Sequence, residues 1–324
     1  MSINLAFAGF RHSHILGLYK SAMENELVNI VGSFEENDAA RIEAESKNGI
    51  KFTYDTYDAV LCDASVDAIA IGDYYGKRGE MVISALKHGK HVICDKPICT
   101  SLKELEEIEA LVNETGLQVC CMFDLRYLPQ TKKVKEIVEA GDLGDIKIIS
   151  FTGQHHLAYG TRPSWYFEEG KHGGTINDIA IHGIDLIKFI TGKDLTKVNA
   201  ARVWNAFADK EPDFADCGQL MVEMGGISVM ADVSYAAPSC AGLPTYWDFY
   251  FWGSKGMLNF KYKDNLIRIY KDSEEVIECE RTDIDYLNAF IKEIGGEHTM
   301  MNTRSVLDTQ RQVLTIQKFA DAQD

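Results

Sequence analysis

The chain has 324 residues, 46% apolar and 25% charged, with 33 Lys and Arg against 49 Asp and Glu for a net charge of −16. Residues 1–122 and 123–324 each carry −8, so the acidity is spread out and offers no concentrated positive field for nucleic acid or an anionic membrane. No stretch approaches the ~20 mostly apolar residues of a membrane-spanning helix. The nearest, Val233–Trp247, holds Pro238 and Pro244. Eight Cys form no C-x-x-C pair, which reads as buried thiols in a reducing, cytoplasmic compartment.

Short, continuously apolar runs at Ile3–Ala8, Asn29–Phe34, Ala68–Ile71, His91–Cys94 and Val119–Met122 predict parallel strands covered on both faces. Helical spacing between them covers Ser13–Asn25, Asp38–Lys47, Gly79–His88 and Ser101–Thr115. Ser101 and Glu104 have capping-box spacing, and Gly116 suits the far helix end. Such alternation implies right-handed crossovers and a doubly wound α/β sheet over residues 1–122. Beyond it, helices are predicted at Pro129–Ala140 and Asn177–Ile190, with a strand at Ile146–Thr152. Strand candidates at Gln219–Met224, Ile227–Tyr235, Asp248–Phe251 and Met257–Lys261 follow without intervening helices, the pattern of a mostly antiparallel sheet. Helices at Ile284–Ile294 and Ser305–Ala322 close an α+β domain over residues 123–324.

Three segments carry chemistry. In the first, Ala8-Gly9-Phe10-Arg11-His12-Ser13-His14, a strand turns into a helix where a doubly wound fold places phosphates. Only Gly9 keeps its place in the dinucleotide fingerprint; Arg11 and His14 stand where the other glycines would be. Arg11 and His12 add positive charge there, and Glu35 ends the second strand where it can accept hydrogen bonds from a ribose and disfavour a 2′-phosphate. The same residues would also suit an ordinary tight turn and a solvated helix start. In the second, Gly89–Pro97, a strand delivers Asp95-Lys96 to the carboxyl edge of the sheet. An ammonium there stabilises a developing alkoxide. In the third, Gly173–His182, Asp178 and His182 are four apart on one helical face, so the carboxylate can orient an imidazole base. A satisfied core His is the alternative. No third ligand at recognisable spacing accompanies the pair, His155-His156 being the nearest candidates, so no metal is expected.

Together these segments resemble the Gfo/Idh/MocA family of nicotinamide-dependent oxidoreductases. Asp95-Lys96-Pro97 is similar to the family's Glu-Lys-Pro signature, and Phe123-Asp124-Leu125-Arg126 to the opening of its second domain. Gly173–His182, continued by Asp185, looks like its Gly-Gly…Asp-x-x-x-His signature, and Phe251–Gly256 like its late strand-turn-strand. The resemblance implies a Rossmann domain over 1–122 that binds NAD or NADP, Glu35 leaning to NAD. It implies that residues 123–324 bind a small polyhydroxylated sugar- or cyclitol-like substrate and form a homodimer or homotetramer through the sheet. Lys96 would polarise the oxygen, His182 would exchange the hydroxyl proton and Asp178 would position both, so the catalytic residues would come from both sides of the boundary near residue 123.

Gly9, Phe10, Arg11, His12, Glu35, Asp95 and Lys96 would line the cofactor. Gly72-Asp73-Tyr74-Tyr75 replaces the family's usual Pro-Asn-x-x-His start, so Asp73 and Tyr74 would meet the cofactor in a way particular to this chain. Arg126, His155, Trp165 and Tyr166 are candidate substrate contacts. A glycosidase that uses bound NAD as an internal redox relay and a non-enzymatic dinucleotide or metabolite sensor are the other readings.

Overall fold

The computed structural model describes residues 2–242, 247–280 and 283–323; Pro244 lies outside the described residues. Two compact units are present, one of Met1–Met122, Glu168–Gly173 and Asp285–Gln310, the other of Phe123–Phe167, Gly174–Ile284 and Arg311–Asp324. After residue 122 the chain therefore returns twice to the first unit, which a single division at residue 123 does not anticipate.

In the first unit the chain runs β1 (Ile3–Ala8), α1 (His14–Met23), β2 (Val28–Phe34), α2 (Asp38–Asn48), α3 (Tyr57–Cys62), β3 (Ala68–Ile71), α4 (Tyr75–Lys87), β4 (His91–Cys94), α5 (Leu102–Thr115) and β5 (Val119–Cys121). All five strands pair in parallel in the order β2-β1-β3-β4-β5. Leu5 to Ala8 and all of β3 are buried, which explains why these runs read as continuously apolar. Segment 50–54 is not a strand, but Thr53 and Tyr54 N–H both donate to Ser33 O at the end of β2.

The predicted capping box forms, with the Ser101 hydroxyl accepting from Glu104 N–H while the Glu104 carboxylate accepts from Ser101 N–H. Helix α4 starts at Tyr75, four residues before the predicted Gly79. Gly76 and Gly79 hide the helix in the sequence, yet a Cβ on Gly76 would lie 2.0 Å from Gly170 O, so close backbone approach is what the position requires. Helix α3 was not anticipated; it is a short turn capped by Thr56, whose side chain accepts from Ala59 N–H.

In the second unit the order is α6 (Pro129–Glu139), β6 (Ile146–His156), a π-helical turn (Ile176–Ala180), α7 (Ile181–Thr191), β7 (Leu195–Trp204), β8 (Cys217–Met224), β9 (Ile227–Ala237), β10 (Asp248–Gly253), β11 (Gly256–Lys261), β12 (Leu266–Tyr270) and β13 (Glu274–Glu278). They form one sheet, β13-β12-β11-β10-β6-β9-β8-β7, antiparallel except for the central β6–β9 pair. Strands β7, β12 and β13 went unread because their outward positions are charged or polar.

Along β9, Val229, Ala231, Val233 and Tyr235 are buried while Ser228, Met230 and Asp232 are exposed, the period of two of a one-sided sheet. On the buried face, α7 presses Gly183 so close to β6 that a Cβ there would lie 2.2 Å from the Phe151 ring. Helix α8 (Tyr286–Ile294) then belongs to the first unit, and the division between the units falls within α9 (Thr303–Asp321). No helix among the described residues is long and apolar enough to cross a membrane.

Candidate active site

In the first unit the chain leaves β1 for β2 on one side and crosses back to β3 on the other. A crevice therefore opens at the carboxyl ends of β1 and β3. Gly9 and Asp73 meet there. Gly9 has φ +80°, and a Cβ on it would lie 2.7 Å from Asp73 N, so only glycine fits. The turn is closed by Gly9 N–H to Phe34 O, Gly72 N–H to Ala8 O and His12 N–H to Gly72 O, each 3.0 Å. Helix α1 follows with no side-chain capping bond from Ser13, which leaves the helix dipole for an anion.

Glu35 accepts from Phe10 N–H at 2.5 Å and Asn37 N–H at 2.7 Å, and burial pushes its carboxyl above the ordinary value. Asp73 accepts from Tyr74 N–H at 2.7 Å, and burial pushes its carboxyl up as well. The Tyr74 ring lies between two cations, with Arg11 5.6 Å and the Lys171 ammonium 5.1 Å from its centroid. A glycine-only turn, an uncapped helix start and Arg11 fit a dinucleotide pyrophosphate.

At the end of β4, Asp95 is fully buried and its carboxylate is clamped by Arg78 Nη2 at 2.8 Å, His12 Nδ1 at 2.6 Å and His14 Nδ1 at 3.0 Å. The guanidinium holds Asp95 well below the usual carboxylate range, despite the burial that opposes ionisation. Arg78 also donates through Nη1 to the carbonyls of Asp95, Lys96 and Pro97 at 3.1, 2.6 and 3.2 Å, and through Nε to Asp73 O at 2.7 Å. One side chain thus ties the Asp73 turn to the Asp95–Pro97 segment, which contains a cis Lys96–Pro97 bond. Lys96 is itself buried, its ammonium 5.9 Å from the Tyr75 ring centroid, and His172 packs on the same ring at 5.6 Å.

In the second unit, Asp178 lies in the π-turn and His182 in the first turn of α7, both buried. The turn is held by Asn177 N–H donating to Gln317 Oε1, and a Cβ on Gly174 (φ +98°) would strike the same side chain. Asp178 accepts a short hydrogen bond from the Tyr235 hydroxyl. The acid facing His182 Nδ1 is Asp124, at 3.5 Å. Trp247 stands edge-on to the imidazole at 5.5 Å and also neighbours His155, which packs on Tyr235 at 5.9 Å. Burial and the Asp178 charge push the Tyr235 phenol well above its ordinary value, so it remains a donor at any physiological pH. An acid, an imidazole and a locked phenol under aromatic walls can exchange a proton with a bound hydroxyl.

A family model described as an oxidoreductase family with an NAD-binding Rossmann fold matches residues 4–123, and a GFO/IDH/MocA C-terminal domain model matches residues 131–259. The chain belongs to the Gfo/Idh/MocA family. A 183-residue stretch is 30% identical to the uncharacterized oxidoreductase YrbE of Bacillus subtilis, covering 56% of this chain and 51% of that protein. A second, of 149 residues, is 30% identical to the scyllo-inositol 2-dehydrogenase (NAD(+)) of the same organism, covering 46% and 42%. These matches span about half the length of the curated relatives. A solved levoglucosan dehydrogenase, in complex with NADH and levoglucosan, superposes with a TM-score of 0.83 over 100% of this chain and 98% of that one, at 18% identity. That likeness shows the fold.

Within this Gfo/Idh/MocA chain several sequence-based assignments change. His12 adds no positive charge: burial outweighs the neighbouring Asp95 and lowers its pKa to about 4. Asp95 is paired with Arg78 and two imidazoles inside the protein. The His12, His14 and Asp95 ligand atoms lie within 4.8 Å of one another, but Arg78 holds a fixed cation against the same carboxylate, which opposes a metal there. Arg126 is fully buried and paired with both Asp185 oxygens, at 2.8 and 2.5 Å. Trp165 is buried and stacked on Tyr166 with centroids 4.1 Å apart. Arg78, Asp124 and Tyr235 were missed. The Asp124 motif had been read only as the opening of a domain, and Tyr235 only as the end of the strand Ile227–Tyr235.

Proposed function

We propose that the protein is an oxidoreductase that transfers a hydride between NAD and a carbinol or carbonyl carbon of a sugar- or cyclitol-like substrate. The observation that carries this reading is one chain's possession of both a glycine-only switch point at Gly9 and Asp73 and a buried acid–imidazole–phenol cluster at Asp178, His182 and Tyr235. Gly9, Arg11, Asp73, Tyr74 and the start of α1 would hold the dinucleotide. Glu35, fixed at the end of β2, supports NAD over NADP. The nicotinamide, when bound, supplies the hydride acceptor or donor. His182 takes the hydroxyl proton in oxidation and returns it in reduction, with the Asp124 carboxylate opposite its Nδ1. Lys96 donates to the substrate oxygen, while Asp178, one oxygen held by Tyr235, positions the reacting groups. The relatives named for scyllo-inositol and levoglucosan support a polyhydroxylated ring as substrate.

Titration calorimetry with NAD+ and NADP+, followed by absorbance at 340 nm over a panel of inositols, pyranoses, aldonates and uronates, tests the reading. Tighter binding of NAD+ and substrate-dependent reduction are expected. If neither dinucleotide binds in excess, the reading falls in favour of a metabolite sensor. Hydrolysis of a glycoside with no net reduction replaces it with the redox-relay glycosidase. The eight free cysteines support a reducing, cytoplasmic setting.

The outer face of the second sheet supports self-association. Trp252 is register partner to Ile148, and Met230 to Met221, so two exposed apolar pairs lie on this face. Light scattering is expected to give a dimer or tetramer for the parent and a single chain for Met230→Glu; a monomeric parent would refute this assignment.

A further inference from the structure

The two fully buried arginines, Arg78 and Arg126, are neutralised by Asp95 and Asp185. Arg162 is different. Its guanidinium is held against two aromatic rings, 4.3 Å from the Tyr166 centroid and 4.8 Å from that of Tyr235. Nε donates to Leu157 O at 2.9 Å and Nη2 to His156 O, so one edge of the fork is fixed by backbone. Among the described residues no carboxylate pairs with it, and the end-on Nη1/Nη2 edge, with two parallel N–H groups, is left over.

The loop that carries it is itself strained. Ala158 has φ +54°, a left-handed conformation unfavourable to a side-chain-bearing residue, and its carbonyl accepts from Thr161 and Arg162 N–H. Strain, stacking and two carbonyls thus fix a charged planar fork whose charge no carboxylate among the described residues answers. The ring that Arg162 stacks on is the one whose hydroxyl donates to Asp178. The open fork therefore lies one side chain away from the acid of the candidate active site.

A rigid pair of parallel N–H donors matches a carboxylate in two-point geometry. We propose that Arg162 is the specificity-determining residue of the Asp178–His182 site and that it binds a carboxylate of the substrate. The substrate class is then a polyhydroxylated acid, an aldonate or uronate, rather than a neutral sugar. This rests on the reading of Asp178 and His182 as the substrate site.

The test measures binding, not turnover, by quenching of tryptophan fluorescence in the full chain. Matched probes are D-gluconate against D-glucitol and D-glucuronate against D-glucose, with D-glucose 6-phosphate as a phosphate arm. The parent is expected to bind each acid at least ~10-fold tighter than its neutral partner, the size of a charged hydrogen bond. Arg162→Gln is expected to bring that ratio to about one, with unchanged NAD+ affinity and thermal midpoint. Equal binding of acids and neutral partners, no binding of any probe, a preference surviving in Arg162→Gln, or a phosphate preferred over both carboxylates each overturns the assignment. A chain that shows the ratio but never reduces NAD+ refutes the oxidoreductase reading alone; one that turns over neutral polyols without the ratio refutes the role of Arg162 alone.

Discussion

Replacing His182 with alanine is expected to lower turnover by about 10²–10⁴-fold, the usual size of a lost general acid–base, with little change in NAD affinity. His182 is buried beside Trp247 and faces Asp124, so the asparagine variant separates roles: it keeps a polar group in place but cannot cycle a proton. Lys96→Met, which preserves the packing against Tyr75, is expected to lose about 10²–10³-fold, as for removal of one donor to a developing oxyanion. Steady-state kinetics with matched thermal midpoints check both. Retention of full turnover in either variant removes that residue from the mechanism.

A second large effect is expected in stability. Arg78→Met keeps the length of the side chain but leaves Asp95 charged and buried against two imidazoles, and breaking such a pair costs about 3–5 kcal/mol. Asp95→Asn on the same background is expected to restore much of that loss, because no orphan charge remains. Urea unfolding of the two single variants and the double variant measures the coupling, and an uncoupled sum would refute the clamp. The same cluster makes the fold acid-sensitive. His12 has a pKa of about 4 in the fold, against ~6.5 unfolded. As pH falls from about 6.5 to 4 the unfolded chain takes up a proton that the native chain excludes, so stability drops across that window. Asp95, depressed in the fold, adds its loss at lower pH. His12→Gln is expected to flatten the upper part of the thermal-midpoint profile.

The doubly wound sheet was legible because strands buried on both faces must be apolar throughout, and β1 and β3 are. The start of α4 was not, because Gly76 serves a close approach to Gly170 while lowering local helix propensity. Candidate residues could be named from the sequence where a short motif holds them, as with Gly9, Lys96, Asp178 and His182. Their partners could not. Tyr235 reaches Asp178 from 57 residues away, and Asp185 claims Arg126 from 59. No periodicity or motif encodes such pairings. Sheet register and crossover alone produce them.

The parallel pairing of β6 with β9 has a consequence for how this protein could change its substrate. Two parallel neighbours need a long excursion between them. Here that excursion contains the Arg162 loop, Trp165, Tyr166, the π-turn with Asp178, and His182. Residues 157–167 contribute no strand to the ladder that anchors both ends. Exchanging residues 157–167 for the equivalent loop of a relative is therefore expected to change ligand preference on the proposed reading, while leaving His182 and the sheet in place.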